Sequence, residues 1–150
     1  MMSAEKVVFW DFDGTLAQAP SLWTGCVFKE LSQSLPDSGI DIHHVRPLMQ
    51  TGFPWHETQA DHLTWVPPGA WWHHMERHFA DVYRRLGVTD IQAEEMAGRI
   101  RPRILDLKNY TLVPDAAEVL RACRERGYEN WLLSNHVPEL ADILDCIRQE

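Results

Sequence analysis

Residues 6–15 read KVVFWDFDGT, and this stretch decides the fold. Lys6 to Trp10 is apolar on both faces, a pattern that fits a strand buried in a parallel sheet better than a one-sided strand. It stops abruptly at Asp11-Phe12-Asp13-Gly14-Thr15, two acids and a turn glycine. On a continued extended path, a period of two puts the Asp11 and Asp13 carboxylates on the same side. The carboxyl ends of parallel strands form the ligand crevice of such a sheet. Two carboxylates there repel unless a divalent cation sits between them, and Mg²⁺ favours hard oxygen ligands. Gly14 lets the backbone turn sharply. The plainer alternative is a strand end with an exposed Asp-Gly turn. A lone D-x-D would favour that alternative; the apolar strand directly before this one weighs against it.

Working outward, the text turns helical from residue 20 to residue 105. Trp23, Val27, Leu31 and Leu35 recur every four residues, the stripe of an amphipathic helix. Pro36-Asp37-Ser38-Gly39 breaks it, and Ile42, Val45, Leu48 and Met49 suggest a short helix despite Pro47. Residues 51–69 are too rich in proline for regular structure. Trp72, Met75, Phe79, Val82, Tyr83 and Leu86 form the strongest stripe, closed by Gly87. Thr89 with Gln92 resembles a capping box opening a helix that carries Ile91, Met96 and Ile100 inward to about Leu105. After Asp106 the pattern changes. Residues 114–126 predict a helix with Ala117, Leu120 and Cys123 inward and Gly127 at its end, and residues 128–133 (YENWLL) a second strand. The strand leads into Ser134-Asn135-His136. Val137-Pro138 starts a last helix with Leu140, Ile143, Leu144 and Ile147 on one face. The fold class is therefore α/β: a parallel-sheet core in residues 1–19 and 106–150, interrupted by an all-helical module in residues 20–105.

These residues resemble the haloacid dehalogenase superfamily of phosphatases and phosphotransferases. Its first motif is an apolar strand followed by D-x-D-G-T, as in Asp11 to Thr15. Its second is an apolar strand ending in Ser or Thr, often followed by Asn, as in Leu132-Leu133-Ser134-Asn135. The words GFPWH (52–56) and Trp71-Trp72 are also similar to those of helical caps in the family. The resemblance implies a Rossmannoid core with an inserted helical cap, and a Mg²⁺-dependent phosphatase acting on a small phosphorylated metabolite. In that reading Asp11 is the nucleophile and forms an aspartyl-phosphate. Asp13 is the general acid/base. The Asp11 carboxylate and the Asp13 backbone carbonyl hold the metal. Ser134, and the backbone N–H of Asn135 beside the start of the last helix, hold phosphoryl oxygens. The second Asp favours phosphate over halide chemistry, because the true dehalogenases lack it. A phosphomutase is a minor variant on the same two residues.

The family completes its site with a Lys or Arg and one or two further acids on later strands. Lys29 and Lys108 precede Ser134, and Arg148 alone follows it, inside the last helix. The reading therefore expects an incomplete core, from truncation or because a partner chain supplies the rest. Its alternative function is a catalytically incompetent fragment serving as a binding module. Unpaired core edges would then favour self-association.

Most of the seven Trp and eight His fall between Trp10 and His78. His74 and His78 have the i, i+4 spacing of a zinc pair, but H-M-E-R-H is not H-E-x-x-H, and polar-face histidines are expected instead. Trp72 belongs to the cap core. Trp55, His56 and Arg46 are candidate substrate contacts, with cap packing as the default. His136 either approaches the phosphate or helps cap the last helix.

The 150 residues carry 14 Lys+Arg against 22 Asp+Glu, a net charge of −8, which argues against a binder of duplex nucleic acid. No apolar run reaches the ~18 residues needed to span a bilayer. The start MMSAEKVVFWDFDG is not a secretory signal. Three distant cysteines (Cys26, Cys123, Cys146) suggest reduced thiols in a cytoplasmic protein.

Overall fold

A computed structural model of the chain describes residues 6–147; Arg148 lies outside them. The chain divides into two compact units. One holds the residues up to Pro20 and from Leu107 onward, and the other runs from Ser21 to Asp106.

In the first unit, β1 (Lys6–Trp10) pairs in parallel with β4 (Tyr128–Leu132), Trp10 opposite Leu132. A second, antiparallel ribbon joins β2 (Ala17–Gln18) to β3 (Thr111–Leu112). Helix α6 (Ala116–Glu125) precedes β4, and α7 (Leu140–Ile147) follows it. The face carrying Val8, Trp10, Asn130 and Leu132 is half-buried. Asn130 is satisfied there, accepting from Trp10 Nε1 at 2.9 Å and donating Nδ2 to the Leu120 carbonyl of α6 at 2.8 Å.

The opposite face corrects the expectation of a strand buried on both sides. Phe9 is 60% exposed and Trp131 53%, their rings meeting edge to face at 5.9 Å. The apolar run is a strand, but among the described residues β1 and β4 pair only with each other, and this face has no covering layer. Helix α6 differs in detail as well. It begins at Ala116, and Ala117 points outward, while Ala116, Leu120 and Cys123, on the helical period, are half-buried. In α7, Leu140 and Ile143 are buried and Leu144 half-buried; the side chain of Ile147 lies outside the described residues.

The second unit is all helical: α1 (Leu22–Ser34), α2 (Ile42–Val45), α3 (Ala70–Arg85), α4 (Asp90–Ala97) and α5 (Ile100–Ile104). Asp41 caps α2 in a reciprocal box with His44, and Pro47 starts the 3₁₀ turn Arg46–Met49 that replaces the expected longer helix. Residues 51–69 hold only two further 3₁₀ turns. The α3 stripe is buried as its spacing predicts, with Met75, Phe79 and Tyr83 fully enclosed. Tyr83 donates its hydroxyl to the Val27 carbonyl at 2.9 Å.

The single helix expected to run to about Leu105 is broken at Gly98-Arg99. The inward stripe is Ala93, Met96, Ala97, Ile100 and Ile104, and Ile91, off that stripe, is 73% exposed. The expected box does not form: Thr89 donates its hydroxyl to the Gln92 side chain instead of capping α4. Glu30, fully buried on α1, ties α5 to α1. It accepts from Arg99 at 2.9 Å, Arg103 Nε at 2.8 Å and Ser34 at 2.8 Å.

Candidate active site

The loop after β1 is shaped by its own backbone. The Phe12 carbonyl accepts from Leu16 N and Ala17 N, both at 3.0 Å, and Gly14 N donates to the Ala17 carbonyl at 2.7 Å. Gly14 takes a left-handed φ of 76°, which a Cβ would penalise. Phe12 is wholly buried against Tyr110, at 5.9 Å between ring centroids. With Phe12 turned inward, Asp11 and Asp13 are both exposed.

The second strand reaches this loop by extending its ladder. Leu133 N donates to the Trp10 carbonyl at 2.9 Å, one step beyond the last β1–β4 pair, and this carries Ser134 to Asp11. Ser134 donates its hydroxyl to Asp11 Oδ1 at 2.7 Å, and the same oxygen accepts from Phe12 N at 2.8 Å. Asn135 lies exposed beside Ser134. Helix α7 starts only at Leu140, later than the expected Val137-Pro138, so Asn135 does not lie beside its N-terminus as expected.

His136 lies four residues before the start of α7. It is buried against the rings of Phe12 at 5.3 Å and Tyr110 at 5.8 Å, with Nε2 3.7 Å from Asp13 Oδ1. Partial burial raises the Asp13 carboxyl above its ordinary range; His136 opposes the rise and Asp11 adds to it. Burial lowers His136 below the usual imidazole value, against the pull of Asp13 and Asp11. A signal for this contact was present in the sequence: Ser134 and His136 repeat, on the second strand's extension, the two-residue spacing of Asp11 and Asp13.

The model of the haloacid dehalogenase-like hydrolase family matches residues 5–147. The chain belongs to this family. A solved structure similar to this haloacid dehalogenase-like hydrolase is that of a predicted phosphoglycolate phosphatase from Haemophilus somnus 129PT. The two are 17% identical with a TM-score of 0.49, over 97% of this chain and 59% of that one. The chain thus spans about three-fifths of the length of that protein. No curated protein matches it.

Most of the other residues singled out in the sequence lie in the helical unit. Trp55 and His56 form the 3₁₀ turn Pro54–His56. Trp55 stacks on Phe53 at 4.7 Å and leans on Trp23 at 6.0 Å, while His56 is exposed and meets Phe53 edge to face. Arg46 is exposed, and Trp72 is core. His74 and His78 are half-buried and make separate contacts, and do not simply line a polar face as expected. His74 Nε2 lies 3.3 Å from the Gly52 carbonyl, and His78 packs on Phe53 and Phe79. Lys29 sits on α1, and Lys108 in the turn Leu107–Asn109 of the first unit.

Among the described residues no group of three or more His, Cys, Asp or Glu is arranged to hold a metal. Asp11 and Asp13 nevertheless suit Mg²⁺ by donor type, since that ion takes one or two carboxylates and completes its shell with water and phosphate oxygens. No described helix is long and apolar enough to cross a membrane.

Proposed function

We propose that the chain carries the nucleophile-bearing part of a Mg²⁺-dependent phosphatase that hydrolyses a small phosphorylated metabolite. The supporting observation is the 2.7 Å hydrogen bond from Ser134 to Asp11, which brings the second motif onto the first. With Oδ1 held by Phe12 N and Ser134, Asp11 presents Oδ2 as the attacking atom. Its lone pair forms the new P–O bond as the ester P–O bond breaks. Asp13 gives its proton to the departing alkoxide, which leaves as the alcohol. Asp13 then takes a proton from water, whose oxygen attacks phosphorus and frees Asp11 and inorganic phosphate. The Asp13 carboxyl is shifted upward, the direction that a general acid needs. The Asp11 carboxylate and the Asp13 carbonyl would hold a Mg²⁺ ion, which would supply charge neutralisation between the carboxylates and the phosphate. Ser134 and the backbone of Asn135 supply phosphoryl contacts.

Trp55, His56 and Arg46 belong to the same proposal as substrate contacts of a cap formed by residues 20–105. Arg46 and His56 are exposed and Trp55 half-exposed, and their substitution by Ala is read in KM. The cytoplasmic setting is proposed from the three free thiols. Self-association is proposed from the edges of β1 and β4, which carry no further strand among the described residues.

A generic aryl phosphate, assayed with and without Mg²⁺, provides the test. Asp11→Asn is expected to remove both turnover and phosphate labelling of the protein. Asp13→Asn is expected to retain labelling at Asp11 while turnover falls by about 10²–10⁴-fold. Full activity of either variant, or no hydrolysis by a folded wild-type sample, would overturn the reading.

A further inference from the structure

Asp11 and Asp13 each meet one residue from the extension of β4, and those two residues are also two apart. Ser134 engages Asp11 through a short hydrogen bond, and His136 faces Asp13. The second contact differs from the first in what stands behind it. The His136 side chain is 1% exposed and Asp13's is 46% exposed. The imidazole is set edge-on to Phe12, at 84° and 5.3 Å, and tilted against Tyr110 at 5.8 Å. Both of those rings are buried. An enclosed group, packed between two buried rings, therefore addresses a half-exposed one, and the enclosed member has the less room to move. The 3.7 Å from Nε2 to Oδ1 exceeds a hydrogen bond. A small rotation of the exposed Asp13 side chain closes it, and such contacts commonly tighten only when substrate is bound.

We propose that His136 is a positioning residue for Asp13. Its imidazole, wedged between Phe12 and Tyr110, holds the Asp13 carboxyl in the orientation from which it meets the leaving-group oxygen. The inference rests on the reading of Asp13 as general acid/base given above. It assigns His136 no contact with substrate and no proton of its own to transfer.

The test uses the dependence on leaving group. Departure of an alkoxide needs the proton from Asp13, whereas 4-nitrophenolate leaves without much help. The quantity read is the ratio of kcat/KM for an alkyl phosphate to that for 4-nitrophenyl phosphate, in the full chain. A partly unfolded sample lowers both rates equally and leaves the ratio unchanged. His136→Phe keeps a ring in the aromatic wedge but offers Asp13 no nitrogen. It is expected to lower the ratio by at least about 10-fold, a fraction of the 10²–10⁴-fold that general acid catalysis supplies. His136→Gln, which restores a side-chain N–H, is expected to recover part of that loss. An unchanged ratio in His136→Phe overturns the inference. Asp13→Asn separates the two levels. If Asp13→Asn depresses the ratio and His136→Phe does not, only the role of His136 fails. If Asp13→Asn leaves the ratio at the wild-type value, the acid/base reading of Asp13 fails, and the positioning role with it.

Discussion

Gly52 holds one of the tightest positions in the chain. Its φ is +88°, and a Cβ built there would overlap Nδ1 and Cε1 of the His78 ring, itself wedged against Phe53 and Phe79. Gly52→Ala therefore combines a left-handed backbone penalty with overpacking, and is expected to cost about 2–4 kcal/mol in a urea melt. A cost below about 0.5 kcal/mol would show that the ring yields freely. At this scale the sequence was legible wherever the determining partner is a chain neighbour. Asp11 and Asp13 are exposed and Phe12 between them is buried, the alternation that a period of two predicts. The meeting of His136 with Asp13 is only half legible: the matching two-residue spacing is in the sequence, but the strand register that joins segments more than a hundred residues apart is not.

Among the elements, α3 carries a pH response. Burial lowers His78 below its ordinary value, helped by His74 and opposed by Asp81, and its Nε2 is enclosed with no hydrogen-bond partner among the described residues. The folded protein thus holds His78 neutral, while the unfolded chain binds a proton at about pH 6.5. The unfolded state binds more protons below that pH, so stability is complete above it and declines on acidification. The decline is at most about 1.4 kcal/mol per pH unit until the folded group titrates. Urea midpoints measured from pH 7.5 down to 5.5 are expected to fall more steeply in the wild type than in His78→Gln; equal slopes would refute the assignment. The α3 stripe itself was readable because one long period dominates it. The break between α4 and α5 was not: the stripe through Ala93, Met96, Ile100 and Ile104 runs across Gly98 as if the helix were continuous, and the reading placed Ile91 on it.

At the scale of the whole molecule, the α/β order and the helical interruption were legible because hydrophobic periodicity changes at residues 20 and 105. The number of layers over the sheet was not, since an apolar strand records what it can be buried against, not what covers it. Val7, Phe9, Trp131 and Leu133 form one exposed apolar face. Exchanging Phe9 and Trp131 for Thr is expected to change the unfolding free energy by no more than about 0.5 kcal/mol per site, while raising the concentration at which the protein stays monodisperse in sedimentation. A loss of several kcal/mol would mean that the face is packed in solution.

The β2–β3 ribbon has a consequence for how such a chain changes. Gln18 is paired with Thr111 and Ala17 with Leu112, so the points at which the chain leaves and rejoins the first unit are pinned side by side. Closing a loop costs free energy only as the logarithm of its length, and termini held this close tolerate insertion and replacement. The ribbon therefore acts as a socket. A module of different size or lining can be spliced between its strands without altering the register that sets Ser134 against Asp11. The helical unit and the β1–β4 register can vary separately because two residue pairs hold the join.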